Sequence, residues 1–299
     1  MRVSEDFRRN KELYLMLLPV LAFYIIFCYG PMYGAIIAFK DFSPMKGILG
    51  SPWVGFKHFM DFFTSLNAKE KIINTVRISG TSILFGFPAP IIFALALNEL
   101  RGKRFSKVIK TVSYLPHFIS LVIVCAMIKI FVAPDGIIGN LYANFTGDRS
   151  IMIDNPKNFV PIFVTSEIWQ ELGWSSIIYI AAIAGVDVQL YEAVEIDGGG
   201  RWRKLWNVTL PGIMPTIIIM LILRLGSVLS VGYEKIILLY NPLNYSTSDV
   251  ISSYVYRKGL QEFNYSFSTA VGLFNSAVNF LFLVIVNKIS KKVSDIGIM

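Results

Sequence analysis

Six apolar stretches separated by polar segments set the pattern of this chain, at roughly 13–39, 78–97, 112–132, 160–186, 212–231 and 267–286. A helix rises about 1.5 Å per residue, so about 20 mostly apolar residues cross a hydrocarbon core about 30 Å thick. The pattern therefore predicts an all-α membrane protein with six transmembrane helices. The first stretch carries Pro19 and Gly30-Pro31 and is expected to kink or end early. The second carries Pro88 and Pro90, which membrane helices tolerate where neighbours satisfy the freed carbonyls. Segments 40–77, 134–158 and 232–266 fall on one side of the membrane. Those on the other side are short, except for 187–211.

Composition agrees with this class. The chain is 54% hydrophobic and only 16% charged, with mean hydropathy +0.57, whereas soluble domains carry about 25% charged residues. The net charge of +8 comes from the sorting of basic residues. With the N-terminus inside, fifteen Lys and Arg fall in the short segments: Arg2, Arg8, Arg9 and Lys11; Arg101, Lys103, Arg104, Lys107 and Lys110; Arg201, Arg203 and Lys204; Lys288, Lys291 and Lys292. Eleven fall in the longer outer segments. This asymmetry puts both termini in the cytoplasm. No basic stretch is long or interleaved with aromatics, so nucleic acid is not an expected partner. The first apolar run is too long for a signal-peptide core and lacks a small-residue cleavage site. Cys28 and Cys125 lie in apolar runs and predict neither a disulfide nor a metal site.

The long inner segment, 187–211, reads as two short helices. Asp187 is placed to cap the first, with Leu190, Ala193 and Val194 on one face. Gly198, Gly199 and Gly200 end it, because glycine takes the left-handed backbone that closes helices. In the second, Trp202, Leu205, Trp206 and Thr209 recur at helical spacing. Pro211 is expected to end that helix before the fifth span. A small, charged, half-apolar hairpin of this kind suits docking. An amphipathic hairpin lying in the membrane interface is the plainer reading.

The spacing Glu192-Ala193-Val194, three residues, Gly198, nine residues, Val208-Thr209-Leu210-Pro211 resembles the EAA loop of binding-protein-dependent ABC importers. Two departures are mild: Val194 stands for the second Ala, and Gly199 for the Ala common after the Gly. Tyr29-Gly-Pro-Met-Tyr-Gly34, Ala38-Phe-Lys-Asp41, Trp53-Val-Gly-Phe-Lys-His-Phe59, Trp174, Val231-Gly-Tyr-Glu234, Leu239-Tyr-Asn-Pro242 and Tyr254-Val-Tyr-Arg257 extend the similarity over nearly the whole chain. They resemble most the oligosaccharide and polysaccharide permeases of Gram-positive bacteria. The resemblance implies a single type I importer permease domain over 1–299, with an N-terminal span and outer loop (1–76) and a five-helix core (77–290) holding the EAA loop. It implies a multi-pass protein of the bacterial cell membrane, surrounded by the lipid bilayer. It implies a second homologous permease subunit, two ATPase subunits, an extracytoplasmic solute-binding protein and an oligosaccharide substrate. Glu192, Ala193, Asp197, Gly198, Leu210 and Pro211 are then the ATPase-docking residues. The chain has no phosphate-binding loop, since Gly102-Lys103-Arg104 lacks the following Ser/Thr and the upstream glycine. ATP and Mg2+ are expected on the partner ATPase, with no cofactor on this chain.

Charged residues at membrane depth are costly and mark functional candidates. Glu167, Gln170 and Glu171 lie in the fourth run, Arg224 near the middle of the fifth and Lys129 near the outer end of the third. Glu167 and Glu171 share a helix face, and a Glu171–Arg224 pair across helices fits the spacing. These residues read either as a polar translocation path or as a structural ion pair. His58 and His117 are too isolated for catalysis, and no catalytic or metal-ligating constellation is visible. The expected function is thus the translocation path of an ATP-driven oligosaccharide importer. A permease for a peptide or other small polar solute is the alternative. An ion-coupled secondary transporter would leave the 187–211 hairpin without a role, and a membrane enzyme would lack a reactive cluster.

Overall fold

The computed structural model describes residues 9–65, 67–100 and 102–294. Arg2, Arg8 and Arg101 lie outside the described residues, as do both termini. The chain is all-helical. Among the described residues the single β feature is a bridge between Lys40 and Trp53. The principal helices are α1 (Lys11–Phe39), α2 (Lys57–Thr64), α3 (Ala68–Asn98), α4 (Lys103–Tyr114), α5 (Leu121–Phe131), α6 (Ile137–Thr146), α7 (Pro156–Ala184), α8 (Val188–Ile196), α9 (Arg201–Leu225), α10 (Tyr233–Leu239) and α11 (Tyr265–Ser294). Four helical segments, Lys11–Phe39, Ala68–Asn98, Arg201–Leu225 and Tyr265–Lys292, are each long and apolar enough to cross a membrane. The count reaches six if each of two bent pairs is one span.

Prolines explain much of the local geometry. Inside a helix, proline lacks an N–H and its ring collides with the carbonyl four residues back. Three π-type turns, Tyr24–Tyr29, Ser82–Gly86 and Leu205–Thr209, each stop two residues short of a proline: Pro31, Pro88 and Pro211. The widened turn moves the offending carbonyl aside, so the helix runs on. Two expectations are corrected by this. α1 does not end at Gly30-Pro31 but runs on to Phe39. Pro211 does not end the second hairpin helix, which continues directly into the fifth apolar run as α9. That run in turn stops at Leu225, so Arg224 sits in the last helical turn and not at mid-span.

The third run is corrected as well. It forms two elements, Arg104–Phe118 and Leu121–Phe131, bent by 101°. Pro116 tightens the chain into a short 3-10 turn, Leu115–Phe118, and Ile119 and Ser120 then take extended backbone. α5 restarts after them. α7 begins cleanly because the Asn155 side chain accepts the Lys157 N–H at 3.0 Å and Pro156 occupies the first helical position.

The chain falls into two compact units. One comprises residues up to 65 together with 255–274. Here Phe39, at the end of α1, stacks on Trp53 (5.6 Å, 10° between planes), and the Lys40 ammonium donates to the Ile48 carbonyl at 2.7 Å. His58, buried on α2, bonds the Lys40 carbonyl at 3.1 Å, so it has a structural task. The other unit comprises 66–254 and 275 onward. One of its cores joins Val124 and Cys125 of α5, Phe159 and Phe163 of α7, and Ile236 and Leu239 of α10. A second joins Ile91 and Ala94 of α3, Tyr179 and Ile183 of α7, and Ile213 of α9.

Candidate functional site: an exposed hairpin and a polar cavity

The hairpin at 187–211 is built by its own residues. The Asp187 carboxylate accepts the Gln189 N–H at 2.9 Å and starts α8. At the other end, the Gly199 N–H reaches the Val194 carbonyl (2.7 Å) and the Gly198 N–H the Glu195 carbonyl (3.0 Å). This paired closure requires a left-handed residue, and Gly198 supplies it with φ +72°. Gly199 is needed for a different reason: a Cβ there would lie 2.4 Å from Val194 Cγ1. The Tyr191 and Thr209 hydroxyls bond at 3.0 Å across the hairpin, and Lys204 pairs with Glu195. At the base, a Cβ on Gly212 would come within 2.8 Å of Val186, so α9 lies close against the link that follows α7. The result is a rigid protrusion with an exposed face. Glu192, Ala193, Asp197 and Gly198 are exposed, Leu210 is half-buried and Pro211 exposed. Ile196, Trp202 and Trp206 stand 87%, 74% and 64% exposed.

A cavity of about 710 Å³ opens between α3, α7 and α9. It gathers four of the five charged or polar residues expected at membrane depth: Glu167, Gln170, Glu171 and Arg224. Lys129 is not among its lining residues and is exposed on α5. The pairing differs from the one expected. Arg224 bonds Glu167, not Glu171, at 2.9 Å, and the Ser82 hydroxyl donates to the other Glu167 oxygen at 2.7 Å. Glu171 instead meets His117 Nδ1 at 3.0 Å. The His117 ring lies flat on Trp174, with centroids 4.4 Å apart and planes at 2°. His117 is therefore not isolated: the break at Pro116 turns it toward α7.

Lys235 on α10 completes the lining and was not anticipated, because it stands between the fifth and sixth apolar runs in a segment with no periodic signal. It is 6% exposed, donates to the Phe163 carbonyl at 3.2 Å and lies 4.8 Å above the Phe163 ring. Burial pulls its ammonium down to about 8, partly offset by Glu167, Cys125 and Glu171. An unfolded chain keeps the ordinary lysine value of 10.5. Between these values the unfolded state holds a proton that the folded state has shed, so stability should rise with pH across that window. Thermal unfolding in detergent between pH 8 and 10.5 checks this. Lys235→Met should remove this contribution to the slope.

The family model for the binding-protein-dependent transport system inner membrane component matches residues 86–295. The chain belongs to this family. The permease is 44% identical over 292 residues to Protein LplB of Bacillus subtilis (strain 168), covering 97% of this chain and 92% of that one. It is 42% identical over 291 residues to the polygalacturonan/rhamnogalacturonan transport system permease protein YteP of the same organism, covering 97% and 91%. It superposes with TM-score 0.90 and 43% identity on a chain of a bacterial ABC transporter involved in the import of the acidic polysaccharide alginate, over 98% of this chain and all of that one. The match to the alginate transporter in complex with alginate pentasaccharide-bound periplasmic protein has the same TM-score, at 42% identity over the whole of both chains. The permease is thus a transport subunit of the membrane and not an enzyme; ATP hydrolysis belongs to a separate ATPase. Glu192 to Pro211 lie inside the matched region, as do all the charged groups of the cavity.

Proposed function

We propose that the chain forms one half of the translocation path of an ATP-driven oligosaccharide importer and couples to its ATPase through the hairpin at 187–211. In this reading it is a single type I permease domain with six spans and both termini in the cytoplasm of a bacterial cell. A second permease subunit, two ATPase subunits and an extracytoplasmic solute-binding protein complete the assembly. ATP and Mg2+ act on the ATPases, whose closure draws the two hairpins together and turns the cavity outward to receive the sugar. The hairpin is the observation that carries the proposal. It is rigid through the Gly198–Gly199 closure, it carries Glu192 and Asp197 in solvent, and it exposes Ile196, Trp202 and Trp206. Apolar side chains so exposed on a rigid polar element suit a protein partner. The carbohydrate systems named among its relatives support a saccharide substrate, and the polar cavity supports a hydroxylated one.

Co-purification from native membranes tests this. Wild type should bring down an ATPase and a second permease with nucleotide-dependent activity. Gly198→Val should lose the ATPase, since a β-branched residue cannot hold φ +72°. Gly198→Asn should keep it, because asparagine tolerates the left-handed region. A wild-type chain that purifies alone and needs no ATP would sink the proposal in favour of an ion-coupled transporter.

A further inference from the structure

Beside the large cavity lies a second hollow of about 80 Å³, lined by Ser79, Ser82, Ser227 and Ser230. The two share Phe163, Glu167, Arg224 and Gly232. Along each of three helices they follow one another in the same spatial order. On α3, Ser79 and Ser82 line the small recess, and Gly86 and Pro90, further along, line the cavity. On α7 the shared residues Phe163 and Glu167 precede the cavity residues Glu171, Trp174 and Tyr179. α9 runs the other way: Met220 lines the cavity, Arg224 both, and Ser227 and Ser230 beyond its end the recess. The hairpin at 187–211 joins the cavity ends of α7 and α9. The recess therefore lies on the side away from the hairpin, and the Glu167–Arg224 pair stands between the two hollows.

Two further observations give the recess a role. Ser79 is 6% exposed, and its hydroxyl has no hydrogen-bond partner among the described residues. Buried hydroxyls are normally satisfied, so this unpartnered one in the recess wall is a polar group that a small rearrangement would present to a polar ligand. The recess also borders the non-helical stretch 226–232, which begins and ends in glycine. Asn279 of α11 holds that stretch, accepting the Leu229 N–H and donating to the Ser230 hydroxyl, both at 2.9 Å. Irregular backbone at membrane depth is tolerated where it lines a cavity. Arg224, in the last turn before it, sits where a small backbone change moves the guanidinium.

We propose that Glu167, Arg224 and Ser82 form the outer gate of the path, and that the serine recess is its outer vestibule, receiving hydroxyl groups of the saccharide. In this proposal the ion pair observed here is the gate in its shut state. Opening replaces the Arg224–Glu167 and Ser82–Glu167 bonds with bonds to sugar hydroxyls and merges the two hollows. This rests on the importer reading and assigns it a gate.

Thiol labelling of the complete transporter in membrane vesicles tests the gate. Cys28 and Cys125 are first replaced by alanine, and ATP-dependent uptake is checked; its absence in the wild type would count against the importer reading itself. A membrane-impermeant charged methanethiosulfonate is then applied from the hairpin side without nucleotide. Ser175→Cys, in the cavity, should react fast. Ser79→Cys should react at least about tenfold more slowly, as expected if the gate is open in one molecule in ten or fewer. Adding Arg224→Met, or Glu167→Gln if that complex does not assemble, should raise Ser79→Cys labelling close to the Ser175→Cys rate. The charge-reversed pair Glu167→Arg with Arg224→Glu should restore protection. Equal labelling at both positions with the native pair, or slow labelling that persists in an assembled complex without the pair, would overturn the gate.

Discussion

Asp249→Ala should destabilise the folded chain by about 3–5 kcal/mol, the cost of leaving one charge of a buried pair uncompensated. Asp249 meets Lys71 at 3.1 Å, and both side chains are almost wholly withdrawn from solvent, at 5% and 6% exposure. The pair sits within a larger set of polar contacts. Asn74 donates to the Ser246 and Asp249 carbonyls at 3.0 and 3.1 Å, Thr75 accepts the Ile251 N–H at 3.0 Å, and Ser253 donates to Asp249 at 2.8 Å. Lys71 also lies 5.1 Å above the Tyr254 ring. Together these tie the start of α3 to the segment at 245–254. Removing the carboxylate strands the Lys71 ammonium in a site that excludes water. Desolvation makes the pair weak evidence for net stabilisation, so replacing both members, Lys71→Met with Asp249→Leu, should recover most of the loss. Denaturant unfolding in micelles measures both variants. If the double variant is as unstable as the single one, the ion pair is not what Asp249→Ala removes.

That pair was invisible in the sequence, and the reason is physical. Lys71 and Asp249 lie 178 positions apart, each in a segment without strong periodicity. Helical segments at membrane depth were legible, because bilayer thickness fixes their length and hydropathy wherever they pack. The 187–211 hairpin was legible because its bonds are local: the Asp187 cap and the Gly198–Gly199 closure involve neighbours in sequence. Prolines were misread in both directions. Pro31 is expected to kink or end its helix and Pro211 to end one, but both stand in continuing helices, because a π-type turn just before each absorbs the clash. Pro116, inside an apolar run read as one span, breaks it by 101°. The composition of the cavity was legible in Glu167, Gln170, Glu171 and Arg224, but its pairing was not. Glu167 and Glu171 share a helix face, so the choice of partner depends on where α9 ends and where the Pro116 break delivers His117, and both are tertiary outcomes.

A single methyl group at Gly173, on the buried side of α7 behind the cavity-lining residues Leu172 and Trp174, should have a large effect for its size. α7 passes α4 so closely there that a Cβ would lie 2.1 Å from the Ser113 carbonyl oxygen and 2.4 Å from its carbon. Both obstacles are backbone, so no side chain can rotate away, and one helix must shift. Small residues at helix crossings allow this kind of approach in membranes. Residues beside the contact set the site: Glu171 and Trp174 on α7 bond and stack with His117, just past the end of α4. Gly173→Ala should therefore destabilise the chain by about 1–3 kcal/mol, as overpacking does, and separate His117 from Glu171 and Trp174. ATP-dependent uptake should fall sharply while the hairpin still retains the ATPase, since the hairpin's own bonds are untouched. Gly80→Ala in α3 is the matched control. Nothing lies within 4 Å of a Cβ there, so the same substitution should be neutral or stabilising by up to about 1 kcal/mol through helix propensity. Thermal unfolding and uptake measured on both variants separate a close helix crossing from a general intolerance of alanine. Equal behaviour would mean that the α4–α7 contact does not set the cavity.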